Sequence, residues 1–339
     1  MVPHPQLPAT PGHAIIVIGA SSGGVAAVLD LVGALPADLP AAVFVVVHCK
    51  PDGPGLLADL LARRGALPAE HARDGERIVP GRIYVAPPDF HLLLRGRHMH
   101  LRRGPKENYT RPAVDPLFRT AALSFGPRVI GVVLTGNLDD GTAGLFAIAR
   151  AGGVTVVQDP AEAPYPGMPA NAVANLSVDH VLPLERIAPL LEQLARAVPA
   201  PEPIAVDALD DGALHWRAEY AVMGEAAGLS CPECQGPVWE IREGDMIQFA
   251  CRIGHRFSPE TMMESSAVEI EEVLGMSLRA IEERAALATR LAEWIRETGK
   301  NPARAERYAR QAGEALQRAV DVREMLERGA ATGTSAIPS

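Results

Sequence analysis

The chain has 339 residues, of which 47% are hydrophobic and 22% charged, and its formal net charge is −9. This composition is that of a folded globular protein and excludes disorder over the whole chain. The acidic balance argues against a nucleic-acid partner bound through a basic surface, and four cysteines are too few for a disulfide scaffold. No apolar run reaches the length of about 18 residues that a membrane span needs, so we expect no membrane insertion.

Residues 1–13 are rich in proline and lack the regions of a signal peptide, so we expect a disordered lead and a cytoplasmic location. From residue 14 to residue 198, short β-rich runs alternate with helical runs. The predicted strands span residues 14–20, 42–48, 82–86, 129–135, 154–158 and 180–182, and the predicted helices span residues 25–33, 56–64, 115–123, 143–151 and 184–197. Strands that are apolar on both faces and separated by helices predict an α/β domain with a doubly wound, mostly parallel sheet. Residues 91–94 and 98–102 flank a glycine turn and predict an antiparallel hairpin.

The composition changes after residue 198. A proline-rich run opens a predicted linker over residues 199–229, and residues 230–258 carry a cysteine cluster. Residues 259–329 have apolar side chains every three or four positions, which predicts a helical hairpin or a coiled-coil dimer segment, followed by a disordered tail over residues 330–339. The predicted apolar stripes contain Ile270, Leu274, Leu278, Ile281, Ala285, Ala288, Leu291 and Ile295 on the first helix and Leu316, Val320 and Met325 on the second.

The run GASSGG, which contains Ser21 and Ser22, directly follows the first predicted strand and precedes the first predicted helix. This context is typical of a nucleophilic serine on a sharp strand-to-helix turn. A dinucleotide-binding corner and a plain helix cap are the alternatives. A dinucleotide site favours an acidic residue at the end of the second strand, and His48 stands there instead. A short-chain dehydrogenase also needs a Tyr-x-x-x-Lys pair, which no tyrosine of the chain provides.

His48 and a pair of aspartates close two other predicted strands. Because the C-terminal ends of parallel strands meet at one edge of a sheet, we expect His48 to lie near Ser21 and to accept the serine proton. Asp139 and Asp140 follow the strand of residues 129–135, and a carboxylate there can orient the histidine as the third member of a triad. The structural alternatives are a histidine bonded to a loop carbonyl and an aspartate that forms a turn or caps a helix.

Six motifs follow one another over more than half of the chain: IGASSGG, VVVH, IYVAPPDFH, RPAVDPLF, GVVLTGNLDDGTAG and GMP. On these motifs, residues 15–191 resemble the catalytic domain of the chemotaxis protein-glutamate methylesterases of the CheB type. The resemblance implies that Ser21 is the nucleophile, that His48 is the base, and that Asp140 rather than Asp139 orients the base. It also implies an oxyanion hole formed by N–H groups near Ser22 and Asn137.

The loop of residues 134–141 departs from the family pattern. Members of the family usually carry methionine and glycine where this chain has Asn137 and Leu138. A backbone role at position 137 survives this change, whereas Leu138 lacks the conformational freedom of glycine. The departure leaves a second hypothesis open, in which the chain is a non-catalytic signalling adaptor that retains the fold.

The resemblance implies a serine hydrolase that removes methyl esters from glutamate side chains of chemoreceptor cytoplasmic helices and deamidates glutamine at the same sites, without a catalytic cofactor. Arg111 is a candidate for docking the receptor, and its alternative role is a structural salt bridge. Many family members carry an N-terminal receiver domain that inhibits the enzyme. Because the first catalytic strand begins near residue 14 here, we expect regulation from elsewhere. The source is either a separate regulatory protein, bound by the C-terminal helices, or the C-terminal half of the chain itself.

A second chemical signal lies in the cysteine cluster. Cys231 and Cys234 form a Cys-x₂-Cys pair, and Cys251 and His255 form a Cys-x₃-His pair. Four such ligands on two short turns predict a tetrahedral zinc site, and the hairpin pattern between them is typical of a zinc ribbon. Four protein ligands leave no position for water, so the predicted zinc is structural. The alternative is a set of reduced thiols without metal.

Overall fold

A computed structural model describes residues 13–198, 224–244, 246–298 and 301–333 of the protein. The predicted lead before residue 13, most of the predicted linker and the tail beyond residue 333 lie outside the described residues. The elements up to residue 198 are β1 (Ala14–Ala20), α1 (Gly24–Gly33), β2 (Ala41–Val47), α2 (Leu57–Arg64), β3 (Ala69–His71), β4 (Arg82–Val85), β5 (His91–Arg95), β6 (His98–Arg102), α3 (Val114–Phe125), β7 (Val129–Val133), α4 (Thr142–Arg150), β8 (Val154–Gln158), α5 (Gly167–Asn175), β9 (His180–Leu182) and α6 (Leu184–Ala197). The later elements are β10 (Glu225–Ser230), β11 (Pro237–Glu243), β12 (Met246–Cys251), β13 (Arg256–Phe257), α7 (Pro259–Thr298) and α8 (Pro302–Gly333).

Seven strands form one sheet in the order β3-β4-β2-β1-β7-β8-β9, and every neighbouring pair runs parallel. Alternate side chains of β1 enter two apolar cores: Ile16 and Ile18 pack with α1, α2 and α6, and Ile15 and Val17 pack with α3, α4 and α5. Each fully buried aliphatic side chain of this kind contributes about 1.5–3 kcal/mol to folding. The predicted doubly wound α/β class is confirmed, as is the separate antiparallel hairpin of β5 and β6.

The topology decides where chemistry can occur. Strands β2, β1 and β7 are neighbours in the middle of the sheet, so their C-terminal ends open side by side at one edge. The loops that follow these three strands carry Ser21, His48 and the two aspartates of the loop 134–141. Open parallel sheets place their sites at this edge because the loops there are free of the sheet's hydrogen bonds.

Two elements of the sheet domain escaped the sequence analysis. Strand β3 has only three residues, two of which are polar, and backbone pairing with β4 holds it at the edge of the sheet. Helix α5 begins with Gly167, Met168 and Pro169, residues that resemble a turn in the sequence. A proline in the first helical turn removes no helical hydrogen bond, so the helix forms despite this pattern.

The predicted boundary between linker and ribbon is wrong by several residues. Strand β10 starts at Glu225, inside the predicted linker of residues 199–229, and pairs with β11 in the four-stranded antiparallel sheet β10-β11-β12-β13. Its sequence, EAAGLS, has small and exposed residues without the alternation of a strand. Backbone pairing with β11 therefore holds this strand in place, and its side-chain pattern does not predict a strand.

The Cα positions divide the chain into two units, one that ends at Met262 and one that begins at Met263. In the second unit an ion pair between Arg323 and Glu282 joins α8 to α7, as expected for a hairpin. The predicted stripe is wrong on α8, because Leu316, Val320 and Met325 are all about half exposed and small side chains are buried instead. Those buried residues are Ala305, Ala312, Ala315 and Ala319.

Ile270 on α7 is exposed as well, which corrects the start of the first stripe. Helix α8 also extends to Gly333, four residues into the predicted tail. Among the helices of the described residues, none is both long and apolar enough to cross a membrane.

Candidate active site

Ser21 lies on the corner between β1 and α1. Its backbone N–H donates to the carbonyl of Thr135 (3.0 Å), which ties the corner to the end of β7. Gly23 precedes the helix with a φ of 73°, in the left-handed region that glycine adopts at little cost. Gly136 must also be small, because a Cβ there would lie 2.1 Å from the sulfur of Met168 and 2.8 Å from the Cβ of Ser21. The backbone around Ser21 is therefore closely packed between the end of β7 and Met168.

The ring of His48 lies between Ser21 and Asp140. Its Nδ1 is 3.1 Å from the Ser21 Oγ, and its Nε2 is 2.7 Å from an oxygen of the Asp140 carboxylate. Because an ionised carboxylate only accepts hydrogen bonds, Nε2–H donates to Asp140, and Nδ1 is left to accept from the Ser21 hydroxyl. The sequence analysis predicted this meeting of three strand ends, and the structure brings the three side chains together.

Asp140 is buried at the N-terminus of α3. Its carboxylate accepts hydrogen bonds from the backbone N–H groups of Val114 (2.7 Å) and Asp115 (3.2 Å). Burial works toward a higher pKa for Asp140, but the hydrogen bonds from His48 and from these two amides prevail and lower it. The group facing His48 is therefore an anion held by three N–H donors.

Asp115 is a second buried carboxyl beside Asp140. One of its oxygens accepts from the N–H groups of Gly141 (3.0 Å) and Gly144 (2.7 Å), which joins α3 to the start of α4. Burial and the negative charge of Asp140 raise the pKa of Asp115 well above its usual range. The pKa values of the two neighbouring aspartates are thus shifted in opposite directions, downward for Asp140 and upward for Asp115.

Asp139 contacts the start of α7. One of its oxygens accepts from the hydroxyl groups of Ser258 (2.7 Å) and Thr261 (3.2 Å), which belong to the start of α7. Burial, reinforced by the negative charge of Glu260, raises the pKa of Asp139 to about 7 even though the hydrogen bond from Ser258 opposes this. Of the two aspartates that the sequence offers, Asp140 is the one placed to orient His48.

One residue of the loop between β7 and Asp140 has a left-handed backbone conformation although it is not glycine. Leu138 has a φ of 59°, and its carbonyl accepts from the side-chain amide of Asn171 (3.0 Å). The side-chain amide of Asn137 donates to the Ser22 Oγ at 3.2 Å, which links the loop to the serine corner. Within the described residues, the backbone N–H groups of Ser22 and Asn137 donate to no other group.

Arg111 lies in an ion pair. Its guanidinium donates to Asp89 through Nε (2.9 Å) and Nη2 (2.5 Å) and to the carbonyl of Gly104 (2.6 Å). The hydrogen bonds from Arg111 lower the pKa of Asp89, and Arg103 pairs with the same carboxylate. This geometry favours the structural alternative for Arg111 over receptor docking.

Three residues that support the site were not singled out from the sequence, namely His91, Asn108 and Asp115. His91 is buried, its Nε2–H donates to the carbonyl of Pro105 (2.9 Å), and its Nδ1 accepts from Ala113 N–H (3.3 Å). Asn108 places its side-chain amide 3.4 Å from both Asp140 and Asp115. Asp115 lies in the RPAVDPLF motif and was within reach of the sequence analysis, whereas no spacing pattern marks Asn108.

The four predicted metal ligands form a second cluster. The ligand atoms of Cys231, Cys234, Cys251 and His255 all lie within 4.8 Å of one another. The Cys231 and Cys251 sulfurs are 3.6 and 3.4 Å from His255 Nδ1, and the Cys234 and Cys251 sulfurs are 3.7 Å apart. A tetrahedral ion with sulfur ligands at about 2.3 Å separates them by about 3.7 Å. The geometry and the donor set therefore fit a metal ion bound through Nδ1.

Comparison with known proteins agrees with the site. The CheB methylesterase family matches residues 16–191, more than half of the chain. A protein of Caulobacter vibrioides named protein-glutamate methylesterase/protein-glutamine glutaminase 2 is 41% identical over 204 residues, 58% of this chain and 58% of its own. A protein of Anaeromyxobacter dehalogenans named protein-glutamate methylesterase/protein-glutamine glutaminase 4 is 42% identical over 185 residues, which cover 53% of this chain and 52% of that protein. The chain therefore spans somewhat more than half the length of these two relatives.

A solved structure is also similar. The crystal structure of the Thermotoga maritima CheB methylesterase catalytic domain aligns with a TM-score of 0.53 and 35% identity, over 54% of this chain and 99% of that one. The matched family segment contains Ser21, His48 and Asp140 and ends before the ribbon and the long helices. The chain belongs to the CheB methylesterase family.

Proposed function

We propose that the protein is a serine hydrolase that removes methyl esters from glutamate side chains of methyl-accepting chemoreceptors and deamidates glutamine at the same positions. The observation that carries this proposal is the hydrogen-bond chain from Ser21 through His48 to Asp140. The names of the relatives support the choice of substrate. Because chemoreceptor helices of this kind lie in the cytoplasm, the proposal places the protein there.

The geometry supports an acyl-transfer mechanism. His48 Nδ1 takes the proton of Ser21 while Oγ attacks the ester carbonyl, and Asp140 stabilises the imidazolium that forms. The N–H groups of Ser22 and Asn137 are the proposed donors to the oxyanion. His48 then gives its proton to the leaving oxygen, which departs as methanol and leaves an acyl-Ser21. Water, deprotonated by His48, releases the glutamate and restores Ser21.

Deamidation of glutamine follows the same path. The proton from His48 goes to the leaving nitrogen in this case, and ammonia departs instead of methanol. The acyl-enzyme and its hydrolysis are identical in the two reactions, so one site serves both. No step requires a cofactor.

The shape of the loop favours the enzyme over the non-catalytic adaptor. The adaptor hypothesis assumed that the change at Asn137 and Leu138 disables the loop, where leucine lacks the conformational freedom of glycine. Leu138 nevertheless has a φ of 59°, and Asp140 two residues later contacts His48. Leucine at this position therefore costs stability, while the carboxylate of Asp140 keeps its contact with His48.

We also propose a structural zinc ion bound by Cys231, Cys234, Cys251 and His255. The ligand spacing and the surrounding antiparallel sheet support it, and the ion's role is to cross-link two turns of the ribbon. The proposed domain organisation is a catalytic domain over residues 14–198, a ribbon that begins at Glu225, and a helical hairpin from residue 259. A regulatory protein bound by the hairpin remains our proposal for control of the activity.

Methanol release from a methylated receptor fragment tests the main proposal. We expect the wild type to release methanol, Ser21→Ala to release none above background, and the exposed Ser177→Ala, between α5 and β9, to match the wild type. A receptor fragment with glutamine at the methylation sites should release ammonia with the same dependence on Ser21. Equal methanol release by wild type and Ser21→Ala would refute the proposal.

A further inference from the structure

The start of α7 contacts the loop that carries the catalytic aspartate. Ser258 lies between β13 and α7, and its hydroxyl donates to Asp139 (2.7 Å) while its oxygen accepts from Thr261 N–H (3.0 Å). The Thr261 hydroxyl bonds to the same Asp139 oxygen (3.2 Å). Ser258 thus caps the helix and holds Asp139 at once. Asp139 is 4% exposed, so these hydroxyls replace water as its partners.

A second connection passes through Asn108. Its backbone N–H donates to the carbonyl of Arg256 in β13 (2.9 Å), and its side-chain oxygen accepts from Ser258 N–H (3.2 Å). The amide nitrogen of the same side chain faces Asp140 at 3.4 Å. One asparagine therefore joins the ribbon strand, the start of α7 and the carboxylate that orients His48.

The segment around Asn108 is itself anchored to the ribbon. Lys106 forms an ion pair with Glu233 (2.9 Å), which lies between the first two cysteines. The rings of Tyr109 and Phe257 are in contact, with centroids 5.3 Å apart. These contacts hold both ends of the short stretch 106–109 against the ribbon.

A third connection leads to α3, whose first amides bond Asp140. The carboxylate of Glu107 is buried and accepts two hydrogen bonds from Arg119 of α3, at 2.7 and 2.9 Å. Arg256 of β13 lies near the same carboxylate, and the positive charges of Arg119 and Arg256 hold the pKa of Glu107 low although burial opposes them. The ribbon therefore contacts Asn108 directly and α3 through Glu107, and both Asn108 and α3 contact Asp140.

We propose that the ribbon and the first turn of α7 position the catalytic aspartate, and that Ser258 is the positioning residue through which they act. The inference rests on the proposed function and deepens it. Asp139 and Asp140 are consecutive residues, and their Cα atoms are therefore only about 3.8 Å apart. Because of this link, a shift of Asp139 also moves Asp140 relative to His48. A displacement of about 1 Å in a catalytic constellation costs up to about 100-fold in rate. A ribbon that only docked the receptor would leave the chemistry of Ser21 unchanged.

The test is the second-order rate of Ser21 phosphonylation by a small fluorophosphonate, because this reagent needs the triad but no receptor. The variants are Ser258→Gly, Asp139→Ala, their double variant and Ser258→Thr. Glycine is a fair N-cap, so Ser258→Gly removes the hydroxyl and leaves the helix cap nearly intact. Thr261→Val removes the second hydroxyl with no change of shape. This variant replaces Ser258→Gly in the measurement if Ser258→Gly does not fold.

We expect Ser258→Gly and Asp139→Ala each to slow labelling by about tenfold or more. The double variant should be no slower than the slower single variant, since both break one contact. Ser258→Thr should regain the wild-type rate, and the KM for a methylated receptor should stay within about twofold in every variant.

If the wild type is labelled at Ser21 and Ser258→Gly is labelled at the same rate, the inference is overturned while the proposed function stands. Rate losses that multiply in the double variant, or a loss confined to the KM for receptor, would also overturn it. If the wild type is not labelled at Ser21, the proposed function fails and the inference fails with it.

Discussion

Two adjacent aspartates of the catalytic loop have opposite titration behaviour. Asp140 receives N–H donors from His48, Val114 and Asp115, which lower its pKa despite burial. Burial and the nearby carboxyl of Glu260 raise the pKa of Asp139 to about 7, although the hydrogen bonds from Ser258 and Thr261 oppose this. Residue type alone does not separate them. The neighbours supplied by α3 and α7 decide which one is an anion facing the histidine.

Replacing Asp140 tests its role directly. Asp140→Asn keeps the size of the side chain but removes the charge that stabilises the imidazolium of His48. We expect a fall in kcat of up to about 10⁴-fold, as for triad aspartates in other hydrolases, with the fold retained. Asp139→Asn is the matched control, because an amide oxygen still accepts from Ser258, and its kcat should fall by about tenfold or less. A larger loss in Asp139→Asn than in Asp140→Asn would contradict the assignment.

Leu138 carries the backbone strain of the loop. A leucine in the left-handed region costs about 1–2 kcal/mol relative to glycine, part of which the greater freedom of unfolded glycine cancels. We expect Leu138→Gly to be neutral or up to about 1 kcal/mol more stable, and Leu138→Val to be less stable because a β-branched side chain avoids this conformation more strongly. Urea unfolding measures both, and Leu138→Val at or above the stability of Leu138→Gly would contradict the argument.

The raised pKa of Asp139 predicts a pH dependence of stability. Between the unfolded pKa near 3.9 and the folded value of about 7, the folded state binds more protons than the unfolded state. Stability from this group therefore falls as the pH rises through that window, and Asp139→Asn removes the fall. The free energy of unfolding of Asp139→Asn, minus that of the wild type, should rise between pH 4 and pH 8. A difference that is constant with pH would contradict the burial of an ionisable Asp139.

At the scale of elements, the central strands were predictable because burial on both faces leaves a continuous apolar run. Strand β1 was predicted with its observed bounds, and its burial pattern explains why. The edge strand β3 and the ribbon strand β10 were not predictable from the sequence, since backbone pairing and not side-chain burial holds them. The α8 stripe failed for a related reason: alanines occupy the buried positions and hydrophobicity alone does not mark them.

The ribbon should depend on its metal. Cys231 is fully buried in the small core that it shares with Val238 and Phe257, so loss of the metal leaves its thiol without a ligand partner in that core. We expect about one equivalent of zinc in the purified protein, clear loss of zinc in Cys231→Ser, and faster amide exchange in β10–β13 of that variant. Cys49→Ser is the matched control, because Cys49 is exposed and outside the cluster, and it should keep its zinc. Full metal content in Cys231→Ser would exclude this ligand set.

At the scale of the whole molecule, the site consists of distant parts of the chain brought together by the parallel sheet. The order of the strands places the ends of β1, β2 and β7 together, and general rules for such sheets predicted that Ser21, His48 and an aspartate would meet there. The contact between Asn108 and Ser258 could not be predicted from the sequence, because 150 positions separate the two residues and no periodic pattern links them. Tertiary packing of the ribbon on the catalytic domain creates that part of the site.

The most direct test of the central claim is methanol release from methylated receptor by Ser21→Ala, His48→Ala and the double variant. Because the two side chains act on one proton, the account predicts that each single variant loses activity by several orders of magnitude and that the double variant is no slower than the slower single one. Wild-type rates in Ser21→Ala, or losses that multiply in the double variant, would contradict the claim that these residues work as one catalytic unit.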